Sequence, residues 1–154
     1  MSRGAEKRIR KLPRYEQTLG SVLLGAKEAV ISPMRSRLRD HNITEPQWRV
    51  MRVLNDRGAT DATSLAQGGI LQASSVARIL KELEKRELVE RGPGETDRRR
   101  SVVRLTPAGY EIVDGVSDEV LRVMREYSSR FGPERLQWLQ DELRALSAAI
   151  KDVE

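Results

Sequence analysis

Residues 72–105 read QASSVARILKELEKRELVERGPGETDRRRSVVRL. From Ser74 to Glu87 the apolar residues Val76, Ile79, Leu80 and Leu83 recur at helical spacing, which predicts a helix with one buried stripe. The opposite face carries Ser74, Ser75, Ala77, Arg78, Lys81 and Lys85, small at its start and basic further along. A helix entering a DNA major groove needs that order. Its first turn must come close to base edges, and Arg and Lys hold the phosphates. Beyond the helix, Leu88-Val89 and Val102-Val103 alternate as short strands about a polar tip, Gly92-Pro93-Gly94-Glu95-Thr96-Asp97. Glycine and proline there signal a turn. Arg98-Arg99-Arg100 leave that tip and suit a minor groove, whose narrow A·T stretches attract arginine. Alone, an amphipathic helix is usually a core helix and a charge run a solvated face. The two in direct succession carry the DNA reading.

Composition narrows the alternatives. The 154 residues fit one domain, or one with a dimerisation appendage. With no cysteine and a single histidine, His41, thiol switches, disulfides and zinc–thiolate sites are excluded and a histidine-rich metal site is disfavoured. No cofactor is implied. No apolar run approaches the ~18 residues of a membrane span, and the basic start lacks the apolar core of a secretory signal. These features predict a cytoplasmic protein. Residues 1–14 hold six Lys or Arg against Glu6, and the remaining 22 basic and 22 acidic residues balance. The start therefore reads as a disordered basic arm, either a solubilising tail or a source of sequence-independent phosphate affinity.

The flanks read as helices. Glu16 to Asn42 predicts a long helix with Leu19, Val22, Leu23, Ala26, Val30 and Leu38 on one side, kinked at Pro33 rather than broken there. Thr44 and Gln47 make a capping box for a helix ending near Asp56 at Gly58, with Ile43 and Trp48 placed as a hydrophobic staple. Thr60-Asp61 starts a short helix, Ala62 to Gln67, and Gly68-Gly69 are expected to form the turn into the next helix. Thr106 caps and Pro107 opens a helix reaching Arg130, broken by Gly132-Pro133. In the last helix Leu136, Leu139, Leu143, Leu146, Ile150 and Val153 form a heptad seam. One chain has too few elements to cover every seam, which predicts a homodimer with interleaved termini.

The chain resembles the MarR family of winged helix-turn-helix regulators over about Leu19 to Ile150. The matching residues are Leu65-Ala66, Val76-Ala77-Arg78, the run Leu83 to Val89, Asp97-Arg98-Arg99, and Leu105-Thr106-Pro107-Ala108-Gly109. Two further stretches, Leu23 to Leu54 and Arg130 to Leu139, resemble members that repress aromatic-acid degradation. Those members carry Arg-Pro where this chain has Ala73-Ser74, so its operator should differ. The resemblance implies a mainly α fold: a winged helix-turn-helix over residues 43–105, with a small β-hairpin wing and a helical dimerisation region from 15–42 and 106–154. It implies Ser74, Ser75 and Arg78 as base readers, Lys81 and Lys85 as phosphate contacts, and Asp97 paired with Arg99 in the wing. That pairing favours Arg98 for the groove, while Arg99 remains the alternative DNA contact of the wing.

The function expected is a dimeric repressor on a pseudopalindromic double-stranded operator, with half-sites about one helical turn apart. A chain without thiol or metal cluster must sense something else, and the resemblance implies a small phenolic acid. Such a ligand needs a flat apolar slot and a cation. Arg14 and Arg37 are the candidate carboxylate partners, Ser36 and His41 the hydroxyl partners, and Met34 and Trp48 the walls. Each also has an ordinary reading as a surface charge or core side chain. An enzyme finds no cysteine nucleophile, no carboxylate pair at a recognisable site, no phosphate-cradling glycine motif and no metal-spaced cluster here. The remaining alternative is a helical protein-interaction module with no small-molecule ligand.

Overall fold

A computed structural model describes residues 12–94, 97 and 99–153. The basic arm therefore lies almost wholly outside the described residues, as do Arg98, Glu95 and Thr96 of the hairpin. The chain divides after Pro33 into two units. Helix α1 (Leu19–Asp40) contains Pro33 in its interior, without a loop.

In the first unit a single 3-10 turn, Tyr15–Gln17, precedes α1. Thr18 is extended, and its hydroxyl accepts the Ser21 N–H at 3.2 Å. That bond caps the helix at its third N–H and starts α1 at Leu19, later than the periodicity from Glu16 suggests. Leu19, Val22 and Val30 remain exposed.

The second unit holds the core. Helix α2 (Glu45–Arg57) begins with both halves of the capping box: the Thr44 hydroxyl accepts from the Gln47 N–H, and Gln47 Oε1 accepts from the Thr44 N–H at 3.0 Å. Ile43 and Trp48 are both buried, as a staple requires. Val50, Met51 and Leu54 bury alongside them, while Val53 stays half-buried. Helix α3 (Ala62–Gly69) is capped by Asp61, and α4 (Ala73–Lys85) buries Val76, Ile79, Leu80 and Leu83. Strands β1 (Val89–Pro93) and β2 (Ser101–Leu105) pair antiparallel with Val89 opposite Leu105 and Pro93 opposite Ser101. Gly92 and Pro93 thus belong to the ladder rather than the tip; β1 pairs with one strand only, so its proline costs no bond on an inner side. Thr60 and Val103 exchange both backbone hydrogen bonds at 2.9 Å, tying the α2–α3 corner to the wing. Helix α5 (Pro107–Phe131) follows the Thr106 cap and buries Val113, Val116 and Val120. Helix α6 (Pro133–Ala149) packs along α5 and buries no residue. Ile150 and Val153 fall beyond its end, so the heptad seam outlasts the helix.

The turn between α3 and α4 differs from expectation. Gly68 and Gly69 are helical, and Ile70 takes the left-handed position at φ 52°. The Leu71 N–H reaches back to the Ala66 carbonyl at 2.9 Å, which is a Schellman closure. Gly68 lies close under α2 instead: a Cβ there would lie 3.0 Å from Arg57 Nη1 and 3.1 Å from Val53 Cγ1, so these side chains would have to shift by a few tenths of an ångström. Asn42 and Glu87 close α1 and α4 in the same left-handed way, so glycine terminates none of these three helices.

Candidate nucleic-acid interface

Helix α4 is anchored by its apolar stripe and turns its other side outward. Ser74, Arg78, Lys81 and Lys85, spaced by four, three and four residues, are all exposed. They form one line along the helix. Ser75 sits off that line and is half-buried, so it is less available to a base edge than Ser74. Ala73 and Ala77 are exposed beside the line. A groove of about 610 Å³ runs between α3 and the start of α4, lined among others by Ala66, Ile70, Leu71, Ala73, Ala77 and Arg91. Small side chains there admit close approach of a base edge, and apolar ones suit a thymine methyl.

Contacts invisible in the local sequence hold α4 in place. Arg49 Nη1 donates to the Gly69 and Ile70 carbonyls at 2.8 and 3.0 Å, and its Nε lies 2.9 Å from Glu45. This clamps the turn before α4 to α2. Gln47 Nε2 donates to Glu82 Oε2 at 3.0 Å, and Arg78 Nη1 donates to Glu82 Oε1 at 3.2 Å. Arg91 of β1 donates to Glu84, joining the wing to the end of α4. Arg86 donates to the Asn42 carbonyl at 2.7 Å. Only the four-residue spacings of Glu45 with Arg49 and of Arg78 with Glu82 could have been read from the sequence.

At the wing tip the Gly94 N–H donates to the Arg100 carbonyl at 2.9 Å, and the Arg100 N–H to the Asp97 carbonyl at 3.1 Å. Asp97 Oδ1 accepts the backbone N–H of Arg99 at 3.0 Å, while the guanidinium near its other oxygen is that of Arg100, at 3.9 Å. Asp97 therefore holds the tip through the Arg99 backbone, leaving the exposed Arg99 side chain for other partners. Arg98, expected in the groove, lies outside the described residues. At the wing's base Asp61 caps α3; the Ser64 N–H and hydroxyl hold its carboxyl below the usual range, with Arg100 adding to the effect.

The ligand candidates fall in both units. Arg14, in the first, is exposed and lies 3.9 Å from Glu16. In the second, Arg37 Nε sits 3.0 Å from Glu119 on α5, which also accepts from Arg122 at 2.8 Å. His41 packs over Gly115, where a Cβ would lie 3.2 Å from its Cε1. Met34 is half-buried against the core, Ser36 is exposed, and Trp48 is 7% exposed with the Arg52 guanidinium 5.9 Å from its ring centre. Arg37, His41 and Trp48 thus flank the α1–α2 corner, the first two against α5. Among the described residues no group of His, Cys, Asp or Glu could hold a metal ion, and no helix is long and apolar enough to cross a membrane.

An exposed basic line on a helix braced from behind, followed at once by a hairpin tied to that helix, is how winged helix-turn-helix proteins meet duplex DNA. The MarR family pattern matches residues 43–101. The transcriptional regulator FarR of Neisseria gonorrhoeae is 34% identical over 84% of this chain and 88% of its own. The homoprotocatechuate degradative operon repressor of Escherichia coli is 30% identical over 79% of this chain and 82% of its own. The crystal structure of NadR in complex with 4-hydroxyphenylacetate superposes with TM-score 0.76 at 28% identity, covering 89% of this chain and all (100%) of that one. The chain belongs to the MarR family and is a DNA-binding transcriptional repressor.

Proposed function

We propose that the protein is a cytoplasmic homodimer that represses an aromatic-acid degradation operon and is released from its operator by a small phenolic acid. Residues 43–105 form the DNA-binding lobe; residues 15–42 and 106–154 form the dimerisation region. Leu143 and Trp138 of α6 and Leu19, Val22 and Val30 of α1 are exposed apolar side chains that a second copy would cover. Ser74, Ser75 and Arg78 read bases, Lys81 and Lys85 hold phosphates, and Arg98 and Arg99 carry the wing to the flanking groove.

The observation that carries the effector reading is the Arg37–Glu119 pair, with His41 packed over Gly115 one turn earlier on α5. An arginine already paired to a carboxylate on α5 is a ready partner for a ligand carboxylate, which would exchange with Glu119 at little net electrostatic cost. Met34 and Trp48 supply apolar walls, and Ser36 and His41 supply hydroxyl partners. Arg14, in the other unit, is a candidate on its charge alone. The likeness to a protein crystallised with 4-hydroxyphenylacetate, and to a homoprotocatechuate operon repressor, supports the ligand class. Moving α1 against α5 would change the spacing of two lobes, and the ligand acts only through its differential affinity for the two states.

Calorimetric titration of the protein with 4-hydroxyphenylacetate and homoprotocatechuate, alone and on DNA, tests this. Linkage requires the inducer to bind the DNA complex more weakly by the factor by which it weakens DNA binding, about 5–150-fold. Equal affinities, or no binding of either acid up to millimolar concentration, would remove the effector.

A further inference from the structure

Glu82 occupies an unfavourable place. It lies in the last turn of α4, where the helix dipole opposes a carboxylate. It follows Arg78 by four residues, the weaker order for such a pair. Its side chain is 45% exposed beside the basic line, where a negative charge repels phosphate. Helix stability and DNA affinity would both favour another residue.

The carboxylate is nevertheless held from two sides. Oε2 accepts from Gln47 Nε2 at 3.0 Å, and Oε1 accepts from Arg78 Nη1 at 3.2 Å. Gln47 is only 6% exposed, and its Oε1 is committed to the Thr44 N–H. Its amide cannot rotate without breaking the capping box of α2. A buried, locked donor therefore fixes Glu82, and Glu82 fixes one nitrogen of a guanidinium that is itself 71% exposed.

We infer that Gln47 and Glu82 are positioning residues that aim Arg78 at one base. The inference rests on the reading of α4 as the recognition helix. A free arginine swings to whichever phosphate is nearest and adds affinity without discrimination. One held at a single Nη1 keeps its other N–H groups in a fixed fork, the geometry that reads guanine O6 and N7 together. Removing Glu82 should therefore do two opposite things. Discrimination at the base facing Arg78 falls, and affinity for unrelated duplex rises, because an acid leaves the DNA-facing surface. A merely structural loss would lower both.

The test enriches duplexes from a random pool on the full-length protein and reads base preference position by position. Arg78→Ala marks the position that Arg78 reads. Glu82→Ala is expected to lose preference at that same position by about ten-fold, within the range for one bidentate base contact, and to bind unrelated duplex as tightly or more tightly. Gln47→Leu should reproduce the positional loss; should it unfold, Glu82→Ala, at a side chain 45% exposed, carries the test. In the Arg78→Ala background, Glu82→Ala should add no further loss. The inference is overturned by an unchanged preference in Glu82→Ala, by a loss spread equally over all positions, by a further loss in the double variant, or by an Arg78→Ala variant with no positional effect. A wild-type protein that enriches no sequence would instead overturn the reading of α4 itself.

Discussion

Gly109 and Leu88 meet backbone against backbone at the root of the wing: a Cβ on Gly109 would lie 2.1 Å from the Leu88 carbonyl oxygen. The Thr106 N–H donates to that same oxygen at 3.1 Å, and the Thr106 hydroxyl donates to the Glu87 carbonyl at 2.6 Å. The start of α5 and the exit of α4 are thus one bonded joint, with no room for a methyl group. Gly109→Ala should cost about 3 kcal/mol, at the upper end for overpacking, because the obstacle is backbone. Urea unfolding measures it; an unshifted midpoint would show that the joint opens freely.

Ile70 is a β-branched residue held in the left-handed region at φ 52° while its side chain is 85% exposed. Such a residue is strained there by about 1–3 kcal/mol, with little burial in return. Ile70→Asn should raise the thermal midpoint, by about 1 kcal/mol of stability. A lowered midpoint would mean that the isoleucine makes a packing contribution its exposure conceals.

Asp61 links stability to pH. Hydrogen bonds from Ser64 lower its folded-state pKa below the ordinary value of 3.8. Its contribution is therefore complete above 3.8 and is lost as pH falls through the lower, folded-state value. At neutral pH, Asp61→Ala should cost about 1 kcal/mol as a lost N-cap. Denaturant titrations at descending pH should show the gap between wild type and variant narrowing in acid. A gap of constant size would place the cap's contribution outside the carboxylate.

The dimer proposal predicts a separable defect. Leu139 and Leu143 lie on α6, which buries no residue in the single chain. Leu139→Asp with Leu143→Asp should leave the DNA-binding lobe folded, as judged by circular dichroism, yet give monomers by light scattering. DNA binding should be lost with the dimer. Tight binding by such monomers would disprove the dimer requirement.

Phosphate contacts on the wing and on α4 should share one salt signature. Arg98→Ala and Arg99→Ala should each weaken binding to all duplexes alike and flatten the salt slope by roughly one unit. Lys81→Ala should behave the same way. Unchanged affinity and slope in both wing variants would mean that the hairpin does not engage DNA.

Much of this architecture is written in local pattern. The stripe of Val76, Ile79, Leu80 and Leu83 marks α4, Thr44 with Gln47 marks the start of α2, and Thr106-Pro107 marks the start of α5. Each feature is decided within one or two turns of its own backbone, so the residues involved are neighbours in sequence and periodicity exposes them. The expected line of Ser74, Arg78, Lys81 and Lys85 follows from the same periodicity. What braces that line does not. Gln47 and Glu82 are 35 residues apart, and Arg49 reaches carbonyls 20 and 21 residues away. Those contacts depend on how α2, α3 and α4 cross, which no single helix encodes. The same crossing brings Gly68 close under α2, while the left-handed turn falls on Ile70, although glycine is the residue that local chemistry would choose for it. Local backbone preference set the elements of this repressor; the close approach of its helices decided which side chains hold the exposed basic line of α4 in place.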